Sequence, residues 1–161
     1  MKRLIAGIII VILAVSAPAL ASDNDISERS LNLPDIEGWR TIEENIVDFD
    51  TPSGNYGSWE RKIIIDKASG NKIEIHLFTG QGPGPMYIPN GKISTDDRPV
   101  GFGATYETIA IGEYRAIIEN YPYIGLALAI SLGPEKTLCL ESRNISREQI
   151  ITKAEMLLKE F

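Results

Sequence analysis

The chain has 161 residues, with 16 basic side chains against 22 acidic ones and a formal net charge of −6. That balance repels phosphate backbones and anionic headgroups, which excludes nucleic acid and a charged lipid surface as natural partners. A single cysteine, Cys139, excludes an internal disulfide, and a single histidine, His76, leaves little for a histidine-based metal or catalytic site.

Lys2 and Arg3 precede a 12-residue apolar run, Leu4 to Val15, short for a bilayer span and right for the apolar part of a signal peptide. Pro18 interrupts the run's helical pattern, and Ala19-Leu20-Ala21 presents small residues where a signal peptidase reads. Residues 1–21 are therefore predicted to be a signal peptide cleaved before Ser22, and the product to be exported to the periplasm or the extracellular space. The rival reading is a retained anchor over Leu4 to Ala21, in which Pro18 and the small-residue exit would have no purpose. Cleavage leaves 140 residues with 14 basic and 22 acidic side chains, a net charge of −8. That length suits one domain resting on its own core, read here as a monomer with no stable membrane insertion.

Residues 22–32 are polar and read as a tether, and 33–161 as a single globular domain. Leu33-Pro34 opens it and Gly38-Trp39 leads into a first strand. Ile46 to Asp50 is a short strand closed by the turn formers Thr51 to Asn55. Ser58 to Asp66 and Lys72 to Thr79 flank a five-residue loop containing Gly70, which predicts a hairpin. Residues 80–104 lack periodicity and are dense in glycine and proline at first, a long irregular connection of the kind that carries function or moves. Tyr106 to Ile111 and Tyr114 to Tyr121 flank Gly112-Glu113, a second hairpin. Gly125 to Leu132 alternates Leu126, Leu128, Ile130 and Leu132 with Ala127, Ala129 and Ser131, as a central strand closely covered on its small side would. Thr137 to Ser142 follows. Ser146 and Gln149 then form a capping box, ahead of a stripe at Ile150, Ala154, Leu157, Leu158 and Phe161. The expected class is α+β, a largely antiparallel sheet of about six to seven strands with the C-terminal helix on one face.

Chemistry is sparse. His76 lies mid-strand between Ile75 and Leu77 and reads as structural. Cys139 alternates with Leu138 and Leu140, with no basic neighbour to generate a thiolate. The Gly80-Gln81-Gly82-Pro83-Gly84-Pro85 run has lost the backbone donors and the Lys-Ser/Thr that a phosphate loop needs. Asp48/Asp50 and Asp96/Asp97 do not fit calcium-loop spacing. Asn144-Ile145-Ser146 has the form of a glycosylation acceptor, but its serine is the helix cap. No catalytic residue, metal or cofactor is expected.

The opening Leu33-Pro34…Gly38-Trp39, then Trp59-Glu60-Arg61, Gly112-Glu113-Tyr114-Arg115-Ala116, the run 125–133 (GLALAISLG), 137–142 (TLCLES) and the Ser-capped helix follow in order. Together they resemble a group of small exported prokaryotic proteins of unassigned function, similar to the Mog1/PsbP-like α/β/α sandwich. The resemblance covers Leu33 to Phe161 and implies a sandwich frame; it carries no functional residue over.

The functional reading is an exported, non-enzymatic binding or interaction module for an envelope protein or a small ligand. Its predicted contact residues lie in the irregular segment: Met86, Tyr87, Ile88 and Phe102 supply apolar surface, and Asp96, Asp97 and Arg98 supply charge, a mixture common in recognition patches. In the bland alternative, those apolar residues cover the sheet's open face as a second layer. The alternative function is a small-ligand carrier or minor enzyme with a pocket under residues 80–104, using His76, Asp96 or Arg98.

Overall fold

The structure, a computed structural model, describes residues 32–81, 88–98 and 101–161. The leader, all but the last residue of the 22–32 tether, and Met86 and Tyr87 lie outside the described residues. Eight strands are formed: β1 (Trp39–Thr51), β2 (Gly54–Asp66), β3 (Lys72–Gly80), β4 (Ser94–Asp96), β5 (Thr105–Ile111), β6 (Tyr114–Tyr121), β7 (Gly125–Gly133) and β8 (Lys136–Ser142). One helix follows, α1 (Arg147–Leu158). The strands join in one sheet in the order β1-β2-β3-β8-β7-β6-β5-β4, and every pairing is antiparallel.

The expected class holds, but the strand count of six to seven does not. The eighth strand is β4, three residues inside the segment read as irregular. It is held on the outer edge of β5 by backbone pairing rather than by any alternation of its own. The strand expected from Trp39 and the short strand expected at Ile46 to Asp50 are one continuous strand, because β2 supplies a partner along the whole of Trp39–Thr51. β1 is the other edge of the sheet. Its register shifts at Thr41/Glu43 and again at Asp48/Asp50, two bulges in a strand of 13 residues.

Ile73, Ile75 and Leu77 of β3 share a face with Leu138 and Leu140 of β8 and Leu128 and Ile130 of β7, all essentially inaccessible. Each such side chain contributes roughly 1.5–3 kcal/mol by leaving water. Onto this face α1 packs Ile150, Ala154 and Leu157. The capping box forms as expected: Gln149 N donates to Ser146 Oγ at 3.3 Å, and Ser146 N donates to Gln149 Oε1 at 2.8 Å. Phe161, the last residue of the expected stripe, lies beyond the helix. It is 37 % exposed, with the Lys136 ammonium 4.3 Å over its ring, so it is a surface contact rather than core.

Beside the helix, residues 32–38 cross the same face as a strap. Leu33 and Ile36 enter the core. Two buried charges of β2 hold the strap: Glu60 accepts from Asn32 N (2.7 Å) and Asn32 Nδ2 (2.6 Å), and Lys62 donates to Asp35 (2.6 Å) and to the Leu33 carbonyl (3.3 Å). Both ions are taken out of water, and both are answered by polar partners.

On the opposite face, Ile63, Ala129 and Cys139 are buried. Residues 88–90 lie there too, since Ala116 faces the helix and its neighbour Arg115 must face away. The Arg115 guanidinium donates to the Ile88 carbonyl (3.2 Å), the Pro89 carbonyl and the Asn90 side chain. No helix among the described residues is long and apolar enough to cross a membrane.

Candidate binding surface

Two regions hold the side chains that matter. The first is the row behind the sheet where His76, Cys139, Ala129 and Ile117 stand opposite one another on β3, β8, β7 and β6. Trp59 Nε1 donates to His76 Nδ1 at 3.0 Å, so the imidazole carries its proton on Nε2, 3.6 Å from Glu74 Oε1. Trp59, His76 and Phe78 stack nearly parallel. Burial lowers the His76 pKa; Glu74 opposes this and Arg61 adds to it. Burial also pushes the Cys139 thiol up to about 12, with Glu141 and Glu119 adding to the effect. At neutral pH that thiol is not a nucleophile. The row is structural chemistry: a neutral imidazole and a protonated thiol inside a packed sheet.

The second region is the end of the sheet where α1 begins. Here Asp97 organises the connection from β4 to β5. Its backbone N–H donates to the Ala104 carbonyl (3.0 Å), its carbonyl accepts from Gly101 N (2.7 Å), and its Oδ2 accepts from Phe102 N (2.9 Å). Its other oxygen, Oδ1, is buried without a hydrogen-bond partner among the described residues. A Cβ at Gly101 would stand 2.0 Å from Asp97 Oδ2, so a side chain there displaces the carboxylate. Arg98 pairs with Asp96 at 2.9 Å, which lowers the Asp96 pKa. The product is a tied turn that holds Phe102 out, 82 % exposed.

The connection from β6 to β7 lies against it. Gly103 faces Pro122, whose Cγ would be 3.7 Å from a Cβ there. This turn closes through Ile124 N donating to the Tyr121 carbonyl at 3.1 Å. It projects Tyr123, 95 % exposed, and Ile124, 61 % exposed. Two cavities lie at this end of the sheet, one beside β4 and β5 and one beside the β6–β7 turn. One, of about 330 Å³, is lined by β4, by Thr105 and Glu107 of β5, and by Ile118 and Leu126. The other, of about 470 Å³, runs from Tyr121 and Tyr123 to Arg143 and Ile145. They share Asn120, Leu126 and Arg147 and so adjoin. Arg147, the first residue of α1, donates to Glu107 at 2.5 Å and lowers the Glu107 pKa. Arg143 has no partner among the described residues.

Of the seven predicted contact residues, Asp96, Asp97, Arg98 and Phe102 come together here. Ile88 lies apart, 7 % exposed, with its carbonyl on Arg115; Met86 and Tyr87 fall outside the described residues. Tyr123, Ile124, Arg143 and Arg147 were not among the predicted residues. Their signal is Tyr121-Pro122-Tyr123-Ile124, three large side chains in a four-residue turn, where Gly, Asn, Asp and Ser are the ordinary choice. No group of three or more His, Cys, Asp or Glu side chains among the described residues is placed to hold a metal ion. Compared with protein-family models, with curated proteins and with solved structures, the chain matches none.

Proposed function

We propose that this chain is an exported, non-enzymatic binding module, monomeric on its own, whose partner meets the sheet end formed by the two adjoining turns. One observation carries the reading. Phe102, Tyr123 and Ile124 are the most exposed large apolar side chains among the described residues. Tyr123 and Ile124 line one of two adjoining cavities, and Phe102 stands on the neighbouring turn, where Gly103 faces Pro122. A scattered exposed apolar residue needs no explanation, whereas a cluster at a rigid, polar-rimmed concavity is what recognition sites share. The two side chains with the most reactive potential, His76 and Cys139, lie in the packed sheet away from these cavities. Export rests on the leader, and a sandwich of the Mog1/PsbP-like kind is supported by a helix on one face and residues 88–90 on the other.

The small-ligand alternative is favoured by one feature: the 330 Å³ cavity is lined by Ser94, Thr95 and Asp96, the far part of the 80–104 segment. Small-molecule sites start at roughly that size. A photo-crosslinker at position 123 in the envelope of living cells separates the two readings. A binding module gives a discrete protein adduct that the same reagent at position 47 does not give. A carrier gives no adduct, and native mass spectrometry of the purified chain shows a bound small molecule instead. Intact mass of the same sample gives a first residue of Ser22 if the leader is cleaved.

A further inference from the structure

We propose that Asn90-Gly91 is a self-modification site: in the folded protein the Asn90 side chain loses its amide nitrogen as ammonia, and a carboxylate takes its place beside Arg115. The glycines single the position out. Eleven are described; nine hold a positive φ, and a tenth, Gly101, has the place of its Cβ filled by Asp97. Gly91 alone has neither reason to be glycine. Its φ is not positive, and a Cβ there would meet nothing within 4 Å. The backbone makes no demand for glycine at 91, but one reaction does. A residue without a side chain leaves its own N–H open to attack on the residue before it, and that residue is an amide. Of the eight asparagines in the chain, only Asn90 is followed by glycine.

The surroundings suit the reaction. Both residues are exposed to water, in a bend that leads from the crossing at 88–90 towards β4. The Gly91 carbonyl accepts from Thr108 Oγ1 at 3.3 Å, while its N–H has no acceptor among the described residues. The Arg115 guanidinium donates to Asn90 Oδ1. A cation on that oxygen draws electrons from Cγ and steadies the negative charge that gathers on Oδ1 during attack. Hydroxide takes the Gly91 N–H proton, the nitrogen pair bonds to Cγ, and the carbonyl π pair moves onto Oδ1. As that pair returns, the Cγ–Nδ2 bond breaks, and the departing nitrogen takes a proton from water and leaves as ammonia. Water then opens the five-membered imide by cleaving either of its bonds to the Gly91 nitrogen. Cleavage at Cγ gives aspartate, whose carboxylate stays on Arg115 as a charge-assisted pair. Cleavage at the main-chain carbonyl gives isoaspartate, which adds one carbon to the backbone between the Arg115 and Thr108 anchors, so one anchor must give.

The test incubates the full folded chain at neutral and at mildly alkaline pH, beside a synthetic peptide of residues 88–93. Peptide mapping by mass spectrometry reads acid for amide at position 90, and chromatography separates the two isomers. Conversion in the folded chain is expected within about tenfold of the peptide's rate, and faster in alkali, because the attacking nitrogen must be deprotonated. Gly91→Ala, for which the fold has room, should slow conversion by about tenfold or more. Arg115→Met, which keeps the stem and removes the donors, should slow it by about threefold or more. The other seven asparagines are the internal control and should remain amides over the same period. An Asn90 still intact when the peptide has converted overturns the proposal, as does conversion that ignores Gly91→Ala. Faster conversion in Arg115→Met would show that the arginine guards the amide instead of activating it, and overturns it too.

Discussion

The strap of residues 32–38 and the sheet end around Phe102 invert each other. Under the strap, charges are inside: Glu60 and Lys62 are 2 % and 3 % exposed, yet each finds partners on the strap. At the sheet end, apolar groups are outside: Phe102, Tyr123 and Ile124 touch mostly water although two turns hold them in place. A buried ion with all its partners is a structural part, because its cost has been met within the chain. An exposed aromatic on a tied turn has no such internal answer. The contrast teaches where to look for function: at groups whose physical demand the fold leaves open.

Lys62→Ala would break the strap most severely. It deletes a buried stem and leaves the Leu33 carbonyl without its donor, although Asp35 and Glu44 can return to water. A loss of about 3 kcal/mol is expected in denaturant melts. A change below about 1 kcal/mol would mean the strap is not part of the folded unit.

Gly101→Ala sharpens the other side. Its Cβ falls on the Asp97 carboxylate, which must shift and give up its bond to Phe102 N, so about 2 kcal/mol should go. Binding at the sheet end should fall with it. Unaltered binding would show that the turn does not position Phe102 for the partner.

Acid tests the quiet region behind the sheet. The His76 pKa in the fold lies below its ordinary 6.5, mainly because of burial, so the unfolded chain takes up the proton first as pH falls. The stabilisation is complete above about pH 6.5 and is lost as pH drops towards the folded value, at no more than about 1.4 kcal/mol per pH unit for one proton. Melts at pH 7.5 and 5.5 should differ for the natural chain and differ less for His76→Gln. Equal slopes would place the acid sensitivity elsewhere. The smallest effect on stability belongs to Tyr123→Ala/Ile124→Ala, under about 1 kcal/mol. A loss of several kcal/mol would make these residues core and erase the contrast.

Local signals in the sequence carried much of this fold. Ser146 and Gln149 cap α1 through bonds that span three residues, and Gly112, with φ +58, makes the β5–β6 turn its own neighbours require. What was not legible depends on distant partners. Ser94–Asp96 is a strand only because β5 offers an edge, and the strands expected from Trp39 and at Ile46 to Asp50 join into one only because β2 runs beside both. Phe161 continues the apolar spacing of α1, but the helix stops at Leu158 and the spacing loses its meaning. At the sheet end, Asp96, Asp97, Arg98 and Phe102 could be picked out by composition. Tyr123 and Ile124 could not, because an apolar residue reads as core until the turn that carries it is seen to face water.

The long β1 edge has a bearing on how crowded solutions of this protein behave. Its outer row of backbone donors and acceptors is a template on which a second copy could grow, end upon end, towards insoluble fibres. The edge carries Glu43, Glu44, Asp48 and Asp50 and is broken by bulges beside Glu43 and Asp50. Two copies meeting there set carboxylate against carboxylate and find their ladders out of step. Dispersal at high concentration therefore depends on charge, and concentrated salt, which shortens the reach of that repulsion to a few ångströms, removes one guard and leaves only the bulges.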